Sequence, residues 1–144
     1  MLSEILARLL AELPATRFPG GVEIAEDIDA LAARAGQVES GTAIIMPWRE
    51  RAGPELLATG GHRQRVAVQF LVGTVVRDYD QLMGGDRALA FDTRKIDCER
   101  ALAGWTPPSC TDACVLVGGE SSPIDTGVSI YVQTWETARF LTGD

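Results

Sequence analysis

The chain is 144 residues long, 46% apolar and 23% charged, with a formal net charge of −7 and a pI near 4.7. That composition fits one soluble globular domain, which at this length buries roughly 70% of its unfolded surface. No apolar run nears the ~20 residues needed to cross a bilayer, and an acidic chain with a single lysine, Lys95, is ill suited to wrapping nucleic acid.

Leu2, Ile5, Leu6, Leu9, Leu10 and Leu13 recur at helical spacing, which predicts an amphipathic helix that Pro14 stops. Glu4 lies where a signal peptide would carry basic residues, so a cytosolic location is expected. Arg17-Phe18-Pro19-Gly20-Gly21 reads as a turn-rich connector. Ile24, Ile28, Leu31 and Ala32 mark a second, shorter helix. Its acids (Glu23, Glu26, Asp27, Asp29) come early, Arg34 comes late, and Gly36 caps the end. Such carboxylates can hold a divalent cation, but nothing else converges on them, and a solvated helix face is the simpler reading.

Thr42 to about Pro47 is a short apolar strand. Arg49 to Gly61 follows as a long charged loop containing Gly53-Pro54 and Gly60-Gly61, and loops of that length are usually functional or mobile. The stretch that organises the chain is Arg63 to Arg77. Val66, Val68, Phe70, Val72 and Val76 alternate on one side, interrupted only by Thr74, and the other side turns apolar or small from Leu71 onward. Such a strand belongs inside a sheet.

Asp78 to Asp86 is a connector with a turn at Gly84-Gly85, and about 87–103 is helical. Leu89, Ile96 and Ala103 form one row of that helix; Phe91, Cys98, Leu102 and Trp105 form its neighbour, and Gly104 caps it. Ala113–Val117 is a strand, Gly118–Asp125 a turn region and Gly127–Trp135 a final strand. The resulting expectation is a single α/β (α+β) domain over residues 1–144 in the order α-α-β-β-α-β-β. It carries about four strands in a mixed sheet, with helices mainly on one face. The helical crossover makes the central and Ala113 strands parallel. The partly bare other face invites cover by another subunit.

No constellation for catalysis emerges. Cys98, Cys110 and Cys114 are an odd set, and the spacing of Cys110 and Cys114 does not suit a zinc knuckle, so buried free thiols are expected. His62 is the only histidine and has no nucleophile elbow nearby. The paired glycines never form a phosphate loop, Lys95 lies mid-helix, and Asp78 and Asp80 have no electrophile or metal partner. Arg49, Arg51, Arg63 and Arg65 make a local basic cluster, better matched to surface carboxylates than to a small anion.

Three segments, taken in order, carry a resemblance. They are Pro47-Trp48-Arg49-Glu50-Arg51-Ala52-Gly53-Pro54, Ala58-Thr59-Gly60-Gly61-His62-Arg63-Gln64-Arg65-Val66, and Gly104-Trp105-Thr106-Pro107-Pro108. Over roughly residues 40–140 the chain resembles the tail terminator (tail completion) proteins of long-tailed bacteriophages and prophages. The cysteine pair Cys110 and Cys114 departs from that pattern.

The resemblance implies a structural protein without catalytic residues, metal or cofactor. It would close into a homo-oligomeric, hexameric ring on the tail tube protein, end tube polymerisation, and present a surface to the head-completion proteins. DNA would pass through the lumen without specific binding, and no membrane would be involved. The protein would assemble in the host cytoplasm and lie at the head-proximal end of the virion tail. The charged loop, with Arg49, Glu50, Arg51, Glu55, His62, Arg63 and Arg65, is the expected contact with neighbouring subunits or the tube. Alternatives are another head–tail connector or adaptor, a tail tube component, or a small cytosolic enzyme.

Overall fold

The computed structural model describes residues 1–77, 84–125 and 127–143. In chain order the elements are α1 (Leu2–Glu12), β1 (Gly21–Ile24), α2 (Ile28–Ala35), β2 (Thr42–Glu55), β3 (His62–Arg77), α3 (Gly84–Leu102), β4 (Val115–Asp125) and β5 (Val128–Gly143). The five strands form one mixed sheet in the order β1-β2-β3-β5-β4. The predicted alternation of β3 is realised at its centre. β3 pairs with β5 along its whole length, from His62 opposite Gly143 to Arg77 opposite Val128, with no shift of register.

Alternation sends the strand residues into two cores. On one face Ala43, Ile45, Phe70, Val72 and Trp135 meet Ile5 and Leu9 of α1 and Cys98 and Leu102 of α3. On the other, Ile44, Met46, Leu71, Val75 and Ile130 meet Leu31 and Ala35 of α2. Two of the three helices thus share a face, and α2 covers part of the opposite one. Thr74, the polar interruption in the β3 pattern, is buried. β4 is parallel to β3, as the crossover predicts, but β5 lies between them.

The sheet is larger than the sequence suggests. β1 is the fifth strand, formed where the connector and second helix were expected to meet; Gly21 to Ile24 pair in parallel with Thr42 to Ile45. Gly21 has φ +72°, a left-handed turn out of the connector that suits glycine. The helix waits until Asp27, whose side chain accepts a hydrogen bond from the Ala30 amide at 2.8 Å and makes it the N-cap. Arg34, in the last turn of α2, closes back onto Glu23 at 2.7 Å, so one of the early acids pairs with that cation.

β4 continues through Gly118–Asp125, which was expected to be a turn, and β5 continues past Trp135 to Gly143. An edge strand tolerates glycine, serine and Pro123, because its outer side owes no ladder hydrogen bonds. In α3, Phe91, Cys98 and Leu102 are buried, whereas Leu89 and Ile96 of the neighbouring row are exposed. α3 begins at Gly84, so the glycine pair there opens a helix instead of a turn. Gly104 follows α3 with φ +79° and ends it as expected. The connector at 78–83 lies outside the described residues.

Phe70 has no solvent exposure and sits directly opposite Trp135. Phe70→Ala is expected to cost about 3–5 kcal/mol through lost burial and a residual cavity. Denaturant melts check this, and a loss below ~1 kcal/mol would mean that β3 is not the strand the core is built on.

Candidate functional site

The residues expected on a charged loop lie instead on paired strands. β2 runs to Glu55 and β3 starts at His62, which leaves only 56–61 as the turn. Beyond the level of Phe70 and Trp135, β2, β3 and β5 continue together as a three-stranded arm. β2 residues 47–55 pair with 64–70 of β3, and β3 residues 62–70 pair with 135–143 of β5. The long C-terminal strand makes the difference: it supplies a second ladder for β3, and charged exposed residues then pair as strands. This corrects the loop reading of Arg49–Gly61.

The tip is built on one carboxylate. Glu55 Oε1 accepts hydrogen bonds from the Leu57 amide at 3.0 Å and the Arg63 amide at 2.8 Å. The chain reverses through Gly60 at φ +64° and Gly61 at φ +71°, a pair of left-handed positions that L side chains avoid. His62 Nδ1 meets the Glu55 carboxylate, and His62 Nε2 lies 2.6 Å from Gln64 Oε1. The Gln64 amide nitrogen in turn donates to the Gly53 carbonyl at 2.9 Å. Both ring nitrogens of the only histidine are therefore occupied in holding the turn. The amide hydrogen bonds, that of Arg63 foremost, hold the Glu55 carboxyl below its ordinary pKa of 4.5.

Directly paired residues share a face of the sheet. A register shift between Pro47 and Arg49 places Arg49 opposite Gln69 and Arg51 opposite Ala67, on the same face as Arg63 and Arg65. The four arginines predicted as a cluster thus come together on one side of the arm. Glu50, Glu55 and His62 lie on the other side with Gln64 and Arg139.

The arginines are held differently. Arg49 lies over the Trp48 ring at 4.9 Å, and Arg63 over Phe140 at 4.2 Å. Arg65 bonds Asp112 and keeps that carboxyl below the usual carboxylate range. Arg51 has no ion-pair or hydrogen-bond partner among the described residues. Between them runs an open groove of about 500 Å³, lined in part by Arg51, Gly53, Leu56, Arg65, Ala67 and Phe140. On the opposite face Arg139 pairs with Glu50 at 3.2 Å.

Arg139, Phe140 and Asp112 thus complete the arm, and sequence reasoning passed them over. The alternation of Thr137, Arg139 and Leu141 with Ala138 and Phe140 was the available signal for a longer last strand. Glu136 also lines the groove, so it presents both signs of charge. It brings no nucleophile and base together, because His62 is on the far face.

The cysteines lie elsewhere and are buried thiols. Burial pushes Cys98 and Cys114 up to about 12, so both stay protonated at neutral pH. Among the described residues, no group of three or more His, Cys, Asp or Glu is placed to hold a metal ion. Nor is any helix among them long and apolar enough to cross a membrane.

Compared with known proteins, the chain matches the family described as Phage tail terminator protein over residues 1–143. No curated protein matches it.

A carboxylate with a lowered folded pKa contributes stability that is present above its unfolded pKa and is lost as pH falls through the folded value. Hydrogen exchange at the Leu57 and Arg63 amides is therefore expected to speed up, beyond its intrinsic pH dependence, as pH drops below 4.5, while the β3 core stays protected. Glu55→Ala removes this pH dependence and frays the tip at neutral pH. Equal protection of the tip in the variant would show that Glu55 does not hold the turn.

Proposed function

The chain belongs to the phage tail terminator family, and from that premise we propose that it closes into a ring on the end of the tail tube. As a phage tail component it has a structural role. In our reading the ring is a hexamer that caps the last layer of tail tube subunits and stops tube polymerisation. Its exposed side receives the head-completion proteins at the head-proximal end of the tail. The observation that carries this reading is the family match over essentially the whole chain.

Two physical features support it. The arm extends charged residues beyond the part of the sheet that the helices cover, and Arg51 lacks an internal partner among the described residues. Mixed charge on such a projection suits repeated contacts between identical subunits. The net charge of −7 also suits a channel that DNA crosses without sticking, since acidic walls repel the phosphate backbone.

The double variant Arg49→Glu, Arg51→Glu tests the arm. Both side chains are exposed and Arg51 makes no ion pair among the described residues, so thermal melting of the monomer stays within about 0.5 kcal/mol of the parent. Ring formation, followed by native mass spectrometry, and tail length, followed by electron microscopy, are both expected to fail. Rings and tails of normal length from this variant would remove the arm as the contact surface.

A further inference from the structure

The sheet has two open edges, and they differ. β1 covers β2 only from Thr42 to Ile45. The arm half of β2, residues 47–55, therefore has no strand on its outer side among the described residues. Among the described residues, β4 pairs with β5 alone. An exposed edge carries a row of free backbone donors and acceptors that templates pairing with another chain.

The side chains along these edges are complementary. β4 opens with Val115, Leu116 and Val117, each about half exposed at 47–54%, and continues to the exposed Glu120. β2 carries the unpartnered Arg51 and leads to the hairpin tip, where Leu56 and Leu57 are 53% and 43% exposed. Each edge thus sets an uncovered apolar run near a charge without an ion-pair partner among the described residues, Glu120 on β4 and Arg51 on β2.

Direction and register agree with this match. β2 is antiparallel to β3, β3 to β5 and β5 to β4, so β2 and β4 run in opposite senses. Rotation about an axis near the strand direction preserves those senses, so β4 of one copy meets β2 of the next antiparallel. With the two edges centred on each other, Arg51 falls opposite Glu120, and Val115–Val117 lie beside the tip leucines. The edges also sit at different levels. β4 flanks residues 128–136 of β5, whereas the open half of β2 lies level with 135–141. A sheet continued from copy to copy is therefore staggered, as tilted strands are in a closed barrel.

Resting on the ring reading above, we propose that successive copies join edge to edge: the β4 edge of one chain docks on the outer edge of β2 and the hairpin tip of a second copy. Because the two edges differ, the contact is heterologous. It propagates round an axis and closes a ring instead of stopping at a dimer. It also covers the exposed valines and leucines that each isolated chain leaves in water.

The test uses the full chain at a series of concentrations, with ring content read by native mass spectrometry. Glu120→Arg and Arg51→Glu each raise the concentration for half assembly about tenfold or more, and the two together restore it toward the parent value. Val117→Lys, on the exposed edge, blocks assembly without lowering the melting temperature. If a substitution does lower melting, the pair Arg51→Cys with Glu120→Cys carries the test, because oxidation then links copies into a ladder of covalent oligomers. A parent that forms rings while Glu120→Arg and Val117→Lys assemble normally, with no cross-linked ladder, overturns the edge contact alone. A parent that stays monomeric both free and on tube protein overturns the ring reading itself.

Discussion

The unbroken ladder between β3 and β5 is the constraint on which the rest of the structure depends. Sixteen residues of β3 face sixteen of β5 without a slip, and a one-residue slip would exchange the faces of every side chain in both strands. The neighbouring strands have no such regularity. β2 shifts register between Pro47 and Arg49, beside Phe70, and β4 shifts between Leu116 and Gly118, beside Trp135. β2 shifts again between Ala52 and Glu55, and β4 between Pro123 and Asp125. The two shifts named first fall at the level of the large aromatic pair at the centre of the ladder. Bulges increase the local twist and bend the strand that carries them. The sheet is accordingly divided there into a half packed under helices and a half that projects as the arm.

The helical layer is fastened to that ladder by polar contacts as well as apolar ones. Asp97 of α3 is almost wholly buried and receives two hydrogen bonds from Arg17, at 2.6 and 2.7 Å. Arg94 of the same helix donates to the Arg17 carbonyl at 3.0 Å. Arg8 of α1 donates to the Ala101 carbonyl of α3 at 2.8 Å. A buried carboxylate is tolerated only when paired, so the connector after α1 is tied to α3 wherever Asp97 is folded inside. Trp135 is less well served, for its indole N–H is buried without a partner among the described residues. The volume it fills opposite Phe70 compensates for that loss.

On the reading proposed above, function is located where folding leaves work unfinished. The core half buries most of its large apolar groups, although Leu10, Ile28 and Leu89 stay exposed. Among the described residues, the arm and the β4 edge instead carry open backbone, a cation without an ion-pair partner, and aliphatic side chains in water. A monomeric enzyme would have reason to blunt such features. A component that joins its own copies on a tail tube, as proposed above, has reason to keep them.

Much of this was readable in the chain itself. The period-two pattern from Val66 to Val76 determined a central strand, because alternate burial leaves a direct trace in the identities of the residues. The leucine spacing before Pro14 determined α1 for the same reason at helical period, and three spaced segments pointed to the tail terminator family before any fold was known. What only the tertiary structure decided is the fate of segments whose own residues are neutral between strand and loop. Gly21–Ile24, Arg49–Glu55 and Gly118–Asp125 carry charges, glycines and prolines without a strong period. They become strands only because a neighbouring strand offers a ladder. The same dependence set the two faces of the arm: a register shift of one residue beside Trp48 puts Arg49 and Arg51 with Arg63 and Arg65 and sends Glu50 to the other side. Composition names the charges, but which face they share is a property of pairing across strands, and no single stretch of sequence contains it.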